Sequence, residues 1–279
     1  MTLLRHLSLL GLVLALSGLP AGCSDGDGGG GPRYAEPLPE STTTKNGEQA
    51  ATTTTQHSLE LRTVNANPGD EVALGRVTGI YAQLQQVAVA KQVAADTRVD
   101  ALRQAVLAEQ TFPLEEGCYA ISDRGSTITY TDCTFGSTGA TTSLDGTVSK
   151  DGDTLTMDLT IEVVAGVATG GGNTTVTVQE HGSLTFTDTS LTGELHFDVA
   201  TVSGGVQDAG GRVTTHQTLD ADFQEIVLDT ESCPIGGSLE VHSVVQVDAG
   251  GITLGGSGQG MDLWVKATFG PSCGDVTLF

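Results

Sequence analysis

The sequence has few basic residues and few aromatic ones. Only 12 of its 279 residues are Lys or Arg, against 34 Asp or Glu, and the formal net charge at pH 7 is -22. Nucleic-acid phosphates and anionic membrane surfaces are both bound through clustered Lys and Arg side chains. The composition therefore argues against nucleic acid as a partner and against an electrostatic attachment to a membrane.

Several catalytic motifs are also missing. The sequence contains no H-E-x-x-H, no S-x-x-K and no G-x-x-x-x-G-K-[ST]. These patterns place metal ligands, an activated serine and a phosphate-binding loop respectively. We therefore predict a protein that is not an enzyme and that needs no cofactor.

Residues 1–22 have the composition of a secretory signal. Arg5 and His6 form a polar start, and the apolar run from Leu7 to Leu19 is too short to span a bilayer easily. We therefore expect this segment to direct export and then to be removed.

The residues Pro20-Ala21-Gly22-Cys23 resemble the lipobox of bacterial lipoproteins, in which a small residue precedes the cysteine that is lipidated after cleavage. The resemblance implies a lipid anchor at Cys23, and Ser24 in the next position implies the outer-membrane class. Cleavage near Ala21 that leaves a free thiol is the alternative. We expect an exported protein anchored to the outer membrane, on its periplasmic face or at the cell surface.

The cysteine count agrees with a lipid anchor. An odd number of cysteines, five here, is unusual in an exported chain. Lipidation of Cys23 leaves four, enough for two disulfides in an oxidising compartment. A metal site is less expected because no C-x-x-C spacing occurs. The four cysteines predicted to form disulfides are Cys118, Cys133, Cys233 and Cys273.

The composition divides the mature chain into two parts. Residues 24–69 are rich in Gly, Thr and Pro, and only 4 of them are Leu, Ile, Val or Phe, too few to offset the entropy of ordering. We predict that residues 23–69 are the lipidated Cys and a disordered tether. Residues 70–279 are then a single domain of helix and β-sheet.

The domain begins with a predicted helix over residues 70–110. Asp70 is a suitable N-cap, and Pro113 would end the helical region. Thr97 and Asp100 could cap a second helical segment. Apolar residues that recur three or four positions apart are Leu74, Val77, Tyr81, Leu84 and Val87.

From Cys118 onward apolar and polar residues alternate between Gly-rich turns. This alternation predicts half-buried antiparallel strands, with further strands near residues 174–187, 191–202 and 212–228. We predict a mainly β domain with about eight or nine strands in a meander. A sheet this wide tends to curl, so we favour a curved or barrel-like sheet with the helix packed on its apolar face. A two-sheet β-sandwich is the alternative.

Three hairpins have a predicted register. A two-residue loop at Gly125-Ser126 would place Cys118 opposite Cys133, at a separation that suits a disulfide. A loop at Asp151-Gly152 would pair Val148 with Leu155. A disulfide between Cys233 and Cys273 implies a third register. Its pairs are Val241 with Val265, Ser243 with Leu263, Val245 with Met261, Glu240 with Lys266, and His242 with Trp264.

A row of histidines is one candidate site. His181, His196 and His216 fall on the predicted polar face, with His181 opposite His196 or Asp198, and Asp198 opposite His216. Two histidines beside an aspartate could bind Zn²⁺ or another divalent ion. Surface histidines on a polar sheet face are the favoured interpretation.

Glu180 is the other candidate. It lies an even number of positions from Val176, Val178 and Leu184, so a regular strand would place its carboxyl on the same apolar face. A carboxyl there would have a raised pKa and could act as an acid or a ligand contact. The favoured interpretation is a β-bulge near Gly182 that turns Glu180 outward.

Three functions are compatible with these patterns. The first is a non-catalytic, lipid-anchored cell-envelope protein with a structural, adhesive or binding role. The second is a periplasmic or outer-membrane carrier that holds an apolar ligand or lipid between helix and sheet. The third is a metal-dependent hydrolase centred on the histidine row.

Overall fold

The computed structural model describes residues 34, 36–62, 71–91, 117–122, 126–137, 140–165, 174–203, 213–249, 252–254 and 261–279. Two helices, α1 (Thr42–Glu60) and α2 (Glu71–Ala90), precede an antiparallel sheet. The eleven strands are β1 (Tyr119–Ser122), β2 (Thr127–Ser137), β3 (Ala140–Asp151), β4 (Thr154–Ala165), β5 (Thr174–Phe186), β6 (Ser190–Ser203), β7 (Val213–Leu228), β8 (Pro234–Ala249), β9 (Ile252–Leu254), β10 (Met261–Phe269) and β11 (Val276–Leu278).

The sheet is an antiparallel meander. Its strand order follows the chain from β1 to β8 and continues through β10 to β11, while β9 pairs with the end of β8. Within the part of the chain that the structure describes, β1 and β11 are the free ends of the sheet, so it is not closed. The predicted mainly β meander is confirmed. The sandwich alternative is wrong because all strands belong to one sheet.

Both helices pack on one face of the sheet, here called the inner face. Tyr81 of α2 contacts Phe197 of β6, with ring centroids 5.6 Å apart. The core on this face is continuous from β2 to β11 and includes residues of both helices. The opposite, outer face carries most of the acidic side chains of the strands. Packing of the N-terminal helical segment on the apolar face is therefore confirmed.

Helix α1 lies where the sequence predicts a disordered tether, so that prediction is wrong for residues 42–60. The Ser41 side chain caps the helix by accepting a hydrogen bond from the Thr44 amide at 3.0 Å. The chain already contacts the sheet before the helix begins. The Leu38 amide donates a hydrogen bond of 2.7 Å to the carbonyl of Leu278 in β11.

The buried face of α1 consists mainly of small residues, which explains why its composition is misleading. The buried hydroxyls of Thr54, Thr55 and Ser58 donate to the carbonyl four residues earlier, as Thr54 does to Ala50 at 2.8 Å, and so they are not left unpaired. Small side chains also let α1 lie close to α2. The buried residues of α1 are Thr44, Gly47, Ala50, Ala51, Thr54, Thr55, Ser58 and Leu59.

Helix α2 covers the first half of the helix predicted over residues 70–110. It runs from Glu71 to Ala90. Asp70, Thr97, Asp100 and Pro113, the residues predicted to cap or end the helical segments, lie outside the described residues.

The first two hairpins differ from the predicted register by two residues. In β1–β2, Ser122 pairs with Thr127, so the loop is residues 123–126. Cys118 and Cys133 still form a disulfide, with Cα atoms 5.0 Å apart, because β2 has a β-bulge at residues 131–132. In β3–β4 the loop is residues 152–153, so Val148 pairs with Met157 rather than Leu155.

The third register is as predicted. Val241 pairs with Val265 and Glu240 with Lys266, whose ammonium lies 2.7 Å from the Glu240 carboxylate. The second predicted disulfide, Cys233–Cys273, is present with Cα atoms 5.5 Å apart. It joins the turn before β8 to the loop after β10.

Candidate functional site

Three histidines of the outer face, His181, His196 and His242, lie in a row that crosses five strands. Cross-strand pairs link Asp158, His181, His196, Asp220 and His242 in that order. The predicted pairing of His181 with His196 is confirmed. Trp264 of β10 extends the row beyond His242.

Two of the predicted residues do not join this row. Asp198 pairs with Thr218, and His216 pairs with Ala200, so the predicted pairing of Asp198 with His216 is wrong by two residues. The reason is that a long connection, residues 204–212, does not set the register as a two-residue turn does. Asp220, one of the acidic residues of the outer face, takes the position between His196 and His242 instead.

Side chains in the row contact their neighbours closely. His196 Nδ1 and Asp220 Oδ1 are hydrogen-bonded, and His242 Nε2 lies 2.8 Å from Asp262 Oδ1. His242 also stacks on Trp264, with ring centroids 3.8 Å apart and planes inclined by 12°. These contacts tie neighbouring strands together at the polar surface.

The row does not have the geometry of a metal centre. Among the residues that the structure describes, no three His, Cys, Asp or Glu side chains are grouped so that they could hold a metal ion. A catalytic zinc site needs three protein ligands around one point. A row of cross-strand pairs instead spaces its side chains along the surface.

Glu180 lies on the inner face, in the interior of the protein. Its residue is 1% exposed, and it pairs with Leu159 on β4 and Phe197 on β6. The favoured interpretation of a bulge at Gly182 is wrong, because the pairing of β5 is regular from Thr174 to Thr185 on both sides. Regular alternation therefore directs the carboxyl inward.

The Glu180 carboxyl has an oxygen, Oε1, that is buried without a hydrogen-bond partner. Burial raises the pKa of Glu180 to about 8, because an apolar environment disfavours the charged form. The group is therefore mainly protonated at neutral pH. Among the described residues, it is the one buried side chain with a carboxyl group.

Three polar side chains of the inner face, Tyr81, Gln217 and Ser243, are paired with one another, in contrast to Glu180. The Tyr81 hydroxyl donates to Gln217 Oε1 at 3.2 Å, and Gln217 Nε2 donates to Ser243 Oγ at 2.9 Å. Burial raises the pKa of Tyr81, so this hydroxyl keeps its proton. Phe197 is the cross-strand partner of Glu180, and Tyr81 of α2 packs on Phe197. Helix α2 therefore crosses the sheet beside Glu180.

The inner face is less covered on one side of Glu180. Three apolar side chains there, which we call the valine patch (Val163, Val176 and Val178), are half-buried and pack against the core. Val178 is two residues from Glu180 on β5, and Val176 pairs with Val163 on β4. The patch therefore begins about 7 Å from Glu180 along the strand and continues away from it.

A separate surface depression of about 750 Å³ lies at the bulged ends of β6, β7 and β8. Its lining includes Asp222, Gln224 and Glu225, and it is open to solvent. Neither Glu180 nor the histidine row contributes to it. It is therefore not an enclosed apolar cavity of the kind that a carrier needs.

The sequence also contains a serine motif of the nucleophile-elbow type. Gly270-Pro271-Ser272-Cys273-Gly274 matches G-x-S-x-G, as do residues 22–26, which lie outside the described residues. In a nucleophile elbow the serine stands between a strand and a helix. Here the motif connects β10 to β11, and Cys273 is held in a disulfide. The motif is therefore a disulfide-bonded loop.

Comparison with known proteins identifies no relative. No protein family, no curated protein and no solved structure matches the chain significantly. Neither of the described helices is long and apolar enough to cross a membrane.

Proposed function

We propose that this chain is an exported lipoprotein of a bacterial cell envelope, held to the outer membrane through Cys23. The observation that carries the proposal is the pairing of cysteines. Two disulfides use four of the five cysteines and leave only Cys23, the residue of the lipobox-like segment. Stable disulfides are typical of oxidising compartments outside the cytoplasm.

The domain behind this anchor has a non-catalytic binding or structural role. The absence of a metal-binding group among the described residues supports this role over a metal-dependent hydrolase. The strongly acidic strand region, with 20 Asp or Glu against 3 Lys or Arg in residues 125–279, supports a soluble domain that resists association through its sheet edges.

A carrier of an apolar ligand is the second candidate. Glu180 favours it, because a buried carboxyl with an unpartnered oxygen lies beside a half-buried apolar patch on the helix-covered face. Core packing alone would be served equally well by a leucine or methionine at this position.

Mass spectrometry of the mature N-terminus tests the anchor. We expect the full chain, expressed in a bacterium with lipoprotein processing, to fractionate with membranes and to begin with a diacylated or triacylated Cys23. The matched variant Cys23→Ser should lose the acyl groups and the membrane association. Peptide maps without reductant should link Cys118 to Cys133 and Cys233 to Cys273 in both proteins.

An unmodified Cys23, or a mature chain that begins elsewhere, would contradict the anchor. Solvent extraction of the purified protein then separates the two roles of the domain. A stoichiometric lipid or other apolar molecule in the extract supports the carrier, whereas an empty extract supports a structural or protein-binding role.

A further inference from the structure

Glu180 stands where the buried core of the inner face meets a more open apolar surface. The row across the strands at Glu180 is fully buried: Leu159 is 1% exposed and Phe197 is 0% exposed. One row further along, Val178 is half-buried, and in the next row Val163 and Val176 are both half-buried. The carboxyl therefore occupies the inner end of an apolar strip.

The carboxyl has no partner within the protein for Oε1. A buried polar group without a hydrogen bond lowers the stability of the fold. The neighbouring inner-face groups Tyr81, Gln217 and Ser243 are linked to one another, so the environment allows polar groups to be paired. A partner supplied from outside the chain would remove the penalty at Glu180.

The chemistry of such a partner follows from the group it must meet. An ammonium group beside the neutral carboxyl favours its charged form, so the carboxyl releases its proton and accepts a charge-assisted hydrogen bond from the ammonium. The valine patch, which is continuous with Glu180 on β5, requires the rest of the partner to be hydrocarbon. A molecule that has both an ammonium group and a hydrocarbon chain is a protonated alkyl amine.

We propose that Glu180 binds the ammonium group of an apolar primary amine whose hydrocarbon chain lies along the valine patch. The proposal rests on the carrier role given above as the second candidate and names its ligand class. The strand geometry sets the length of the contact, since Val176 is four residues from Glu180, or about 13 Å along β5.

Photolabelling of the full chain in its own membranes tests this site. The probe is dodecylamine with a diazirine in its alkyl chain, and peptide mass spectrometry locates the label. We expect labelling in β4 and β5, within residues 154–165 and 174–186. In Glu180→Gln the yield in these peptides should fall about tenfold or more, because the neutral amide lacks the negative charge that pairs with the ammonium.

Glu194→Gln is the matched control. Glu194 is exposed on the outer face of β6, so its substitution removes one negative charge without touching the inner face. Its labelling should equal that of the unsubstituted chain. Glu180→Leu, which fills the site with hydrocarbon, should lose dodecylamine labelling and retain labelling by the corresponding diazirine alcohol.

Three results would overturn the inference. Equal amine labelling in Glu180→Gln and the unsubstituted chain would show attraction to the acidic surface alone. Labelling by the alcohol with none by the amine would leave the carrier role standing and reject the amine as its ligand. Failure of both probes to label β4 or β5 would reject the carrier role as well, while the Cys23 anchor is tested independently.

Discussion

At the scale of single residues, Glu180 is the most informative position in the chain. Its alternation with Val176, Val178 and Leu184 predicts an inward carboxyl, and regular pairing through Gly182 puts it there. A glycine in a strand is often a bulge, which is why the sequence favoured the opposite orientation. Only the pairing of both neighbouring strands shows that Gly182 lies within a regular ladder.

The raised pKa of Glu180 predicts a specific dependence of stability on pH. The folded protein holds the proton up to a pKa of about 8, whereas the unfolded chain releases it near the ordinary value of 4.5. Between these two pH values the unfolded state becomes more stable relative to the folded state, because only the unfolded chain has released the proton. The free energy of unfolding should therefore fall by up to roughly 5 kcal/mol from pH 4.5 to pH 8 through this group alone.

Urea unfolding of Glu180→Gln at pH 5 and pH 8 measures this contribution. The variant should match the unsubstituted chain at pH 5 and exceed it in stability at pH 8, because glutamine has no proton to lose. Glu194→Gln, on the exposed outer face, should follow the unsubstituted chain at both pH values. A pH-independent difference for Glu180→Gln would show that the carboxyl is not held in its neutral form.

At the scale of secondary-structure elements, α1 shows where composition misleads. Residues 24–69 contain only four Leu, Ile, Val or Phe residues, and this small number indicates disorder. Nevertheless Thr44, Gly47, Ala51, Thr54 and Ser58 recur every three or four positions and are buried in the helix. This periodicity of small residues is the signal that could have revealed α1, and hydropathy does not record it.

Gly47 lies where α1 closely approaches α2 and β11. A Cβ atom at this position would lie 2.5 Å from the Cβ of Ala90 and 2.8 Å from Leu278 Cδ1. We expect Gly47→Ala to destabilise the protein by about 1–3 kcal/mol through overpacking, although alanine is the better helix former.

Gly79 of α2 is the matched control for this substitution. A Cβ there meets only the His57 ring, with Nδ1 at 3.5 Å and Cε1 at 3.8 Å, which are ordinary contact distances. Gly79→Ala should therefore stabilise the protein by about 0.5–1 kcal/mol. The close packing is confirmed if the urea midpoint of Gly47→Ala lies below that of the unsubstituted chain and the midpoint of Gly79→Ala lies above it. A stabilising Gly47→Ala would refute it.

The hairpins show which properties of a strand can be read from its sequence. The alternation of apolar and polar residues assigns each residue of β3 and β4 to the correct face. The predicted register of β3–β4 is nonetheless wrong by two residues, because the loop is residues 152–153. A shift by an even number keeps every side chain on its face, so burial was predicted correctly while the partners were not.

At the scale of the whole molecule, each disulfide lies near one end of the sheet. Cys118–Cys133 joins the start of β1 to β2. Cys233–Cys273 connects the turn before β8 to the loop before β11. Strands near a free end of a sheet have fewer neighbours, so covalent links at these places limit their fraying.

Removal of the two disulfides should lower stability by different amounts. In the chain-entropy model, opening Cys233–Cys273, with a separation of 40 residues, costs about 4 kcal/mol. Opening Cys118–Cys133, with a separation of 15, costs about 3 kcal/mol. Urea unfolding of the two paired Cys→Ala variants measures both values, and the reduced unsubstituted chain should lose more than either variant.

The sequence alone determined the sign of the surface charge, the alternation of strand faces and the pairing of cysteines. These properties depend on residue type and on spacing within a single segment. The tertiary structure decided the existence of α1, the register of β3–β4 and β6–β7, and the burial of Glu180. The existence of α1 and the burial of Glu180 depend on contacts between distant segments: small side chains form a stable helix only against a close neighbour, and a carboxyl becomes buried only when helices cover its face.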